Sequence, residues 1–508
     1  MDDNIAEITW DWVFVTASNE TQAIAYRAQI EERLKNNYLP ENTKYAVIAD
    51  PEGKRIGSGG ATLNVLKYIS EHSDATDRHI FAAKILVIHS GGDSKRIPQY
   101  SACGKLFSPV PRLLPDGRRS VLFDEIMISL SSLPGRTGYG MLTISGDVLL
   151  FFDPLQIDLR SNKSAVAISV KESVEVGANH GVFLSDEKQC VTKFLHKQSA
   201  ETLKNLDVVD GNDCVDLDTG FIWLDKNIVT DLFSLISSND TIDSEKFDMM
   251  VNDGARLSFY GDFLYSLADS AVYENYLASE GENPPNDKLL ECRKAIWPVL
   301  AKYRMSLIRL SPAKFIHLGT TRELHKLASN GICESFSNSH IHPGTRIGYG
   351  CYIEDCYIGD SVNIGDNVIL SNLNIENIGI PGDVVIHGLE LHGNRYCARI
   401  YGINDNPKDS TNGTFFGGSL VDFAKNTGIV ANDLWTTDIY PVCDSAREAI
   451  EFALVVYKLS KGIASDEEFD KWKMSAKTSL AGSFRNADVP NIFKWRSHLE
   501  NVIRFCQK

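Results

Sequence analysis

Up to about residue 310, short apolar runs alternate with amphipathic or polar stretches. Tyr45–Ala49, Ile85–His89, Gly140–Ser145, Ala165–Val170 and Phe221–Leu224 read as buried strands bounded by Gly, Asp or Ser. Ala23–Leu34, Leu63–His72 and Ser120–Ser132 carry helical spacing between them. Such alternation predicts an α/β fold with a mostly parallel sheet wrapped by helices. Binding loops should then lie beyond the carboxyl ends of the strands.

Residues 338–391 follow a different grammar. Aliphatic residues recur every six positions at Ile341, Ile347 and Ile353, and again at Ile358, Ile364 and Leu370. The interval from Ile353 to Ile358 is five, read as a slip of one residue in one coil. Ile-Gly pairs recur at 347–348, 358–359, 364–365 and 378–379. One inward aliphatic per six residues is the mark of a β-helix with three short faces per coil. Beyond residue 395 the repeat is lost. Leu434–Val442 reads as a strand, while Asp444–Lys461 and Ile492–Cys506 read as helices.

Composition narrows the function classes. The 508 residues are 43% hydrophobic and 23% charged, ordinary globular values that exclude wholesale disorder. A formal charge of −16 argues against a dedicated nucleic-acid binder. The 10 cysteines are scattered without a C-x-x-C pair, which fits reduced thiols in a cytoplasmic protein better than a disulfide framework or zinc site. The acidic opening MDDNIAEITWDW lacks the features of a secretory signal. No apolar run is long enough to span a membrane.

Two glycine clusters fall at strand ends. In ILVIHSGGDSKRIPQYSACGKLFSPVP (Ile85–Pro111), an apolar strand runs into Ser90-Gly91-Gly92-Asp93-Ser94. Consecutive glycines let backbone N–H groups wrap a phosphate, Arg96 can pair with phosphate oxygens, and Lys105 can act as a movable charge. The spacing is neither G-x-x-x-x-G-K-[ST] nor G-x-G-x-x-G. The second cluster, Gly57–Thr62 with Gly57, Gly59 and Gly60, reads as a loop opening a helix, where orphan N–H groups favour an anion. Two such loops suggest a polyphosphate ligand. Asp147 in TISGDV and Asp262 in FYGDFL are candidate Mg²⁺ ligands, with Asp218 in DLDTGF a third. Lys197 in FLHKQS could neutralise a sugar phosphate. The histidines show neither metal-ligand spacing nor a nucleophilic triad order.

Taken together, G-G-x-S-x-R followed by a lysine, an Asp-bearing strand and a β-helix resemble the sugar-1-phosphate nucleotidyltransferase superfamily. More narrowly, VIADPEGKRIGSGGATL, SGDV, HGVFLSD, FLHKQS, YGDFLYSLA, FIHLGTTREL, YGINDN and LWTTDIYPVC are similar to the fucose-1-phosphate guanylyltransferases, or GDP-L-fucose pyrophosphorylases. They are similar too to the pyrophosphorylase half of bifunctional fucokinase/GDP-fucose pyrophosphorylases. No P-x-x-x-G-L-x-S-S kinase motif is present. The resemblance implies a Rossmann-like, GT-A-like nucleotidyltransferase domain over residues 1–310. A left-handed parallel β-helix over 311–395 and an α/β elaboration over 396–508 would follow. Two positions depart from the family pattern: Gly104, where the wider superfamily commonly has proline before the lysine, and Gln198, where proline is usual after Lys197.

The implied reaction is in-line attack of a sugar-1-phosphate oxygen on the α-phosphorus of GTP, with pyrophosphate leaving. In it, Gly57, Gly59 and Gly60 would meet the nucleotide, and Gly91, Gly92, Ser94 and Arg96 the triphosphate. Lys105 would meet the α-phosphate and Lys197 the sugar phosphate, with Asp147 and Asp262 on Mg²⁺. The exposed ends of such a coil often assemble copies into homo-oligomers. Three readings compete: the same chemistry with another sugar or base, a non-catalytic scaffold on the same fold, and an acyltransferase using His342 or His387 of the coil.

Overall fold

In the computed structural model, which describes residues 8–73, 81–161, 164–206, 208–279, 285–329, 336–411 and 413–506, the apolar run Trp12–Ala17 forms strand β1. All six of its side chains are buried, as expected for a parallel strand covered on both faces. Helix α1 (Glu20–Lys35) follows, capped by Asn19, whose side chain accepts the Gln22 N–H. Next come β2 (Lys44–Ala49), α2 (Gly57–His72), β3 (Lys84–His89) and β4 (Gly140–Ser145). Strands β5 (Ala165–Ser173), β6 (Gly181–Ser185), β7 (Val191–His196), β8 (Cys214–Asp225) and β9 (Met305–Arg309) complete the sheet, after helix α3 (Asp287–Leu300) in the case of β9.

The described residues place these nine strands in one sheet, ordered β7-β6-β8-β4-β3-β1-β2, with β5 joined to β8 and β9. Pairing is parallel through β2–β1–β3–β4 and in β5–β9, whereas β8 runs antiparallel to β4, β5 and β6. The carboxyl ends of β3 and β4 therefore lie side by side, with His89 opposite Ser145. In β8 the register shifts between Asp218 and Phe221, a bulge that re-aims the residues it contains.

The chain forms two compact units: one up to Gly92 together with Phe123–Ile316, and one of Asp93–Leu122 together with the chain from His317. The signature stretch that begins in β3 thus leaves Gly91 and Gly92 with the first unit, while Ser94, Arg96 and Lys105 belong to the second. The helix expected over Ser120–Ser132 is shorter, Leu122–Ser129, because Arg119–Val121 pairs instead as a strand with Pro109–Leu113.

In the second unit the six-residue repeat builds three parallel faces. Phe336, Ile353, Leu370 and Ile386 stack on one, Ile341, Ile358 and Ile375 on another, and Ile347, Ile364 and Ile380 on the third. From Ile341 the steps are six, six and five, and the same steps recur from Ile358, so the interval of five is a regular part of each full coil. It is not a slip. Each fully buried Ile or Leu of the stack contributes about 1.5–3 kcal/mol. The corners need left-handed backbone, and short amide or carboxyl residues supply it. Asn338, Asp355 and Asn372 form one column (φ 45°, 51° and 57°), and Asn367 and Asp383 fall in another (φ 56° and 60°).

Val384–Leu391 and Arg395–Gly402 close the coil as an antiparallel hairpin. In the tail, the strand expected over Leu434–Val442 reduces to Tyr440–Pro441, because Asp433–Thr437 folds into a turn in which Thr437 N–H donates to Asp433 O. The two expected helices are present as Ala446–Lys461 and Val489–Cys506. Among the described residues no helix is long and apolar enough to cross a membrane.

Candidate functional site

The first unit gathers polar groups beyond the ends of β3, β4 and the β8 bulge. At the end of β3, the Tyr26 hydroxyl of α1 lies 2.9 Å from Ser90 Oγ, and Gln22 Nε2 donates to Gly92 O at 3.2 Å. Both helix residues are fully buried, so α1 holds the Ser90–Gly92 backbone from beneath while Gly91 stays exposed. Arg55 reaches the same loop, its Nη2 lying 3.8 Å from where a Cβ on Gly92 would sit. The sequence reading missed Gln22, Tyr26 and Arg55. The first two sit in an unremarkable helix, and only the fold brings them under the loop.

At the end of β4, Asp147 is half-buried and accepts the Ser145 hydroxyl at 2.6 Å. Ser145 packs on Gly220 so closely that a Cβ there would sit 2.8 Å from Ser145 Cβ. Gly220 N–H in turn donates to Asp218 Oδ1 at 2.8 Å. Tyr260 OH donates to Gly220 O at 3.3 Å, and burial among the Asp218 and Asp147 charges holds its phenol neutral. Asp218 is 8% exposed, and desolvation pushes its carboxyl up to about 6 despite the Gly220 N–H. Gly181 backs onto Asp218, where a Cβ on the glycine would sit 2.9 Å from Asp218 Cβ, and Lys197 N–H, at the end of β7, donates to His180 O at 2.8 Å. Lys197 itself is exposed and left-handed (φ 49°). Asp147, Asp218, Tyr260 and Lys197 thus belong to one contact chain.

Beneath them, His89 is half-buried with Nε2 2.9 Å from Thr62 Oγ1, and desolvation lowers its imidazole to about 4, leaving it neutral at physiological pH.

Two expectations take a different form. Gly57–Thr62 is the first turn of α2 itself, and its glycines are consumed by packing. Gly57 has φ +78°, and a Cβ would sit 2.2 Å from Leu257 O. Gly59 N–H donates to that same carbonyl at 2.8 Å, and Gly60 backs onto Ile56. Ser58 Oγ accepts the Phe259 N–H at 2.8 Å. This turn is stitched to the 256–259 segment, and close packing accounts for Gly57, Gly59 and Gly60.

Asp262 likewise does not fit a metal. It is 3% exposed, Oδ1 accepts Arg293 Nε at 2.9 Å, and Oδ2 accepts Ser258 N–H at 2.7 Å. Burial raises its carboxyl and the Arg293 guanidinium opposes that rise. Asp262 is the counter-ion of a buried arginine on α3, which also donates to the carbonyls of Tyr276 and Ser279. Among the described residues no three His, Cys, Asp or Glu cluster as a metal site. Asp147 with Asp218 nonetheless suits a cation that takes one or two protein oxygens and completes its shell with phosphate and water.

In the second unit Ser94 is buried with φ 52°, Arg96 is exposed, and Lys105 is half-buried and opens the short turn Lys105–Phe107. The residue before that lysine, Gly104, has φ +78° and ψ 145°. Proline, fixed near −65°, could not occupy the position, which explains the departure from the superfamily pattern. His387 is fully buried against Arg399, and His342 lies 3.5 Å from Asp360. Burial against Arg399 takes His387 out of reach of an acyl donor, whereas His342 is exposed and its Nδ1 accepts Gly344 N–H at 3.1 Å.

A family model described as the fucose pyrophosphorylase domain matches residues 77–454. The chain is 27% identical to fucose-1-phosphate guanylyltransferase of Mus musculus, covering 88% of this chain and 86% of that protein. It is 26% identical to the Homo sapiens protein of the same name, over 87% of this chain and 83% of that one. It is also 26% identical to bifunctional fucokinase/GDP-fucose pyrophosphorylase of Arabidopsis thaliana, over 95% of this chain and 51% of that protein. The family match takes in most of the chain, including the β3 loop, the β4 and β8 ends and the whole coil, and the chain belongs to the fucose pyrophosphorylase family.

Proposed function

We propose that this protein transfers the guanylyl group of GTP to L-fucose-1-phosphate, forming GDP-L-fucose and releasing pyrophosphate. The family match over residues 77–454 carries the reading. An oxygen of the sugar phosphate bonds to the α-phosphorus as the α–β P–O bond breaks, and the electron pair leaves with pyrophosphate. Such a transfer is accelerated by positioning and charge neutralisation, with little covalent work for the protein.

Gly91 and Gly92 are assigned to the phosphates through backbone N–H groups, joined by Ser94. Arg96 and Lys105 neutralise the triphosphate, and Lys197 takes the sugar phosphate. Asp147, with Asp218 in place of Asp262, would hold Mg²⁺, which when bound neutralises phosphate charge. Cys103, Cys190, Cys214, Cys292, Cys351, Cys356, Cys397 and Cys443 are free, in keeping with a cytoplasmic setting. The left-handed sense of the coil and homo-oligomer formation belong to the same proposal.

The test is pyrophosphate release from the purified protein with Mg²⁺ and L-fucose-1-phosphate, offering GTP, ATP, UTP and CTP in parallel. Release with GTP alone, abolished by EDTA and by Asp147→Ala, is the expected result. Release with a different nucleotide would move the specificity. No release from folded protein with any nucleotide or sugar phosphate would overturn the enzyme reading.

A further inference from the structure

Arg399 is completely buried, yet among the described residues no carboxylate lies within ion-pair distance of it. That is an expensive arrangement, because an isolated buried charge loses its hydration without a counter-ion. The two donor nitrogens of its fork account for its retention. Nη1 donates to Ser101 Oγ at 3.0 Å, and Nη2 donates to Pro98 O at 2.9 Å and to His387 Nδ1 at 2.5 Å. Pro98 and Ser101 lie between Arg96 and Lys105.

Three further bonds within the same unit converge on this segment. Tyr401 OH, two residues along the same strand, donates to Gln99 Oε1 at 2.6 Å. Tyr100 OH donates to Glu354 Oε2 at 2.8 Å, in the first face of the coil. Thr321 N–H donates to Arg96 O at 3.0 Å. Gln99, Tyr100 and Ser101 are buried, whereas Arg96 is exposed and Lys105 half-buried. The middle of the segment is clamped and its two cations emerge from either end.

We infer that Arg399, assisted by Tyr401, is a positioning residue for guanylyl transfer: from the hairpin that closes the coil it fixes the 97–103 backbone and so sets where Arg96 and Lys105 present their charge. The inference rests on the assignment of Arg96 and Lys105 to the triphosphate. It gives the coil a part in the reaction besides assembly, since a cation displaced by about 1 Å can lose on the order of 10²-fold in rate.

The experiment compares Arg399→Met, Tyr401→Phe and Arg496→Met, each alone and combined with Arg96→Ala, by steady-state pyrophosphate release and thermal melting. Arg496, half-buried, pairs with Asp355 in the same unit at 2.8 Å and serves as the ion-paired arginine control. Arg399→Met should lower kcat by about 10–100-fold with KM changed less than about threefold. Tyr401→Phe, which removes a single bond and keeps the ring, should lower kcat by about 2–5-fold and remains informative if Arg399→Met does not fold. In the Arg96→Ala background both effects should shrink towards unity, because a residue acting through Arg96 has less left to position. Arg496→Met should lower the melting temperature without that kcat loss.

Full additivity with Arg96→Ala, or a kcat loss that tracks melting temperature across all three variants, would overturn the inference alone. Wild-type activity in Arg96→Ala would instead overturn the assignment of Arg96 on which the inference is built.

Discussion

The two glycine-rich segments share a grammar, and the fold uses them in opposite ways. Gly57–Thr62 and Ser90–Lys105 each follow a parallel strand, and each offers glycines, a hydroxyl and a nearby basic residue. The first is wound into α2 and stitched to residues 256–259, its glycines serving close backbone approach. The second leaves Gly91 exposed and holds its middle through neighbours. Glycine content at a strand end therefore marks a place where backbones come close, and does not by itself tell a protein partner from a phosphate. What separates the cases is whether the loop's N–H groups already have acceptors within the chain.

The comparison can be broken most severely at Asp262, against whose turn the first segment packs. Asp262→Ala should destabilise the protein by about 3–5 kcal/mol by leaving the Arg293 guanidinium buried and uncompensated. Denaturant unfolding reads that loss, and Mg²⁺ dependence in the surviving folded fraction should be unchanged. A Mg²⁺ requirement shifted more than tenfold would return Asp262 to the metal.

Nearly as large, and on activity in place of stability, are Arg96→Ala and Lys105→Ala. Each should lower kcat/KM by about 10²–10³-fold with the melting temperature nearly unchanged. Parallel losses in both quantities would make the second segment structural, like the first.

Gly57→Ala should then cost about 2 kcal/mol or more from left-handed strain and the clash with the Leu257 carbonyl, with KM for GTP near its original value. A rise in that KM at preserved stability would restore the first segment to the nucleotide.

The smallest effect is a pH dependence. The folded carboxyl of Asp218, near 6, binds its proton more tightly than the ordinary 3.8. Stability from this group is full below about 4, falls as pH rises to about 6, and stays low above. Asp218→Asn removes that fall. Its stability relative to the parent should therefore rise by about 2 kcal/mol between pH 4 and pH 8, the amide's own burial shifting the whole curve equally at every pH. A flat difference across that range would mean that Asp218 titrates as an exposed carboxyl.

The coil was legible because its code is local: one inward aliphatic per face, with Asn or Asp at the left-handed corners, survives as spacing in the chain. The five-residue step looked like a defect only because one coil is too short a sample to show that it recurs. The parallel core was legible in outline. Trp12–Ala17 escaped the strand reading although all six of its residues are buried, because a short apolar run has no period of its own. Site residues were harder for a different reason. Asp262 looks like any loop aspartate until Arg293, 31 residues on, is seen against it. Gly57 looks like a phosphate glycine until Leu257 arrives. Arg399 sits 301 positions from the carbonyl it holds, and no spacing rule links the two.

That separation has a consequence in time. The second unit is discontinuous, with Asp93–Leu122 made long before the chain from His317 that completes it. At about 5–20 residues per second, Pro98 leaves the ribosome on the order of 15–60 s before Arg399 follows. Throughout that interval Ile97, Tyr100, Leu106 and Phe107, all buried in the finished protein, lack the later residues that cover them. Synthesis of this chain therefore includes an obligatory wait with an adhesive segment exposed, and shortening the wait or shielding the segment should raise the yield of folded protein.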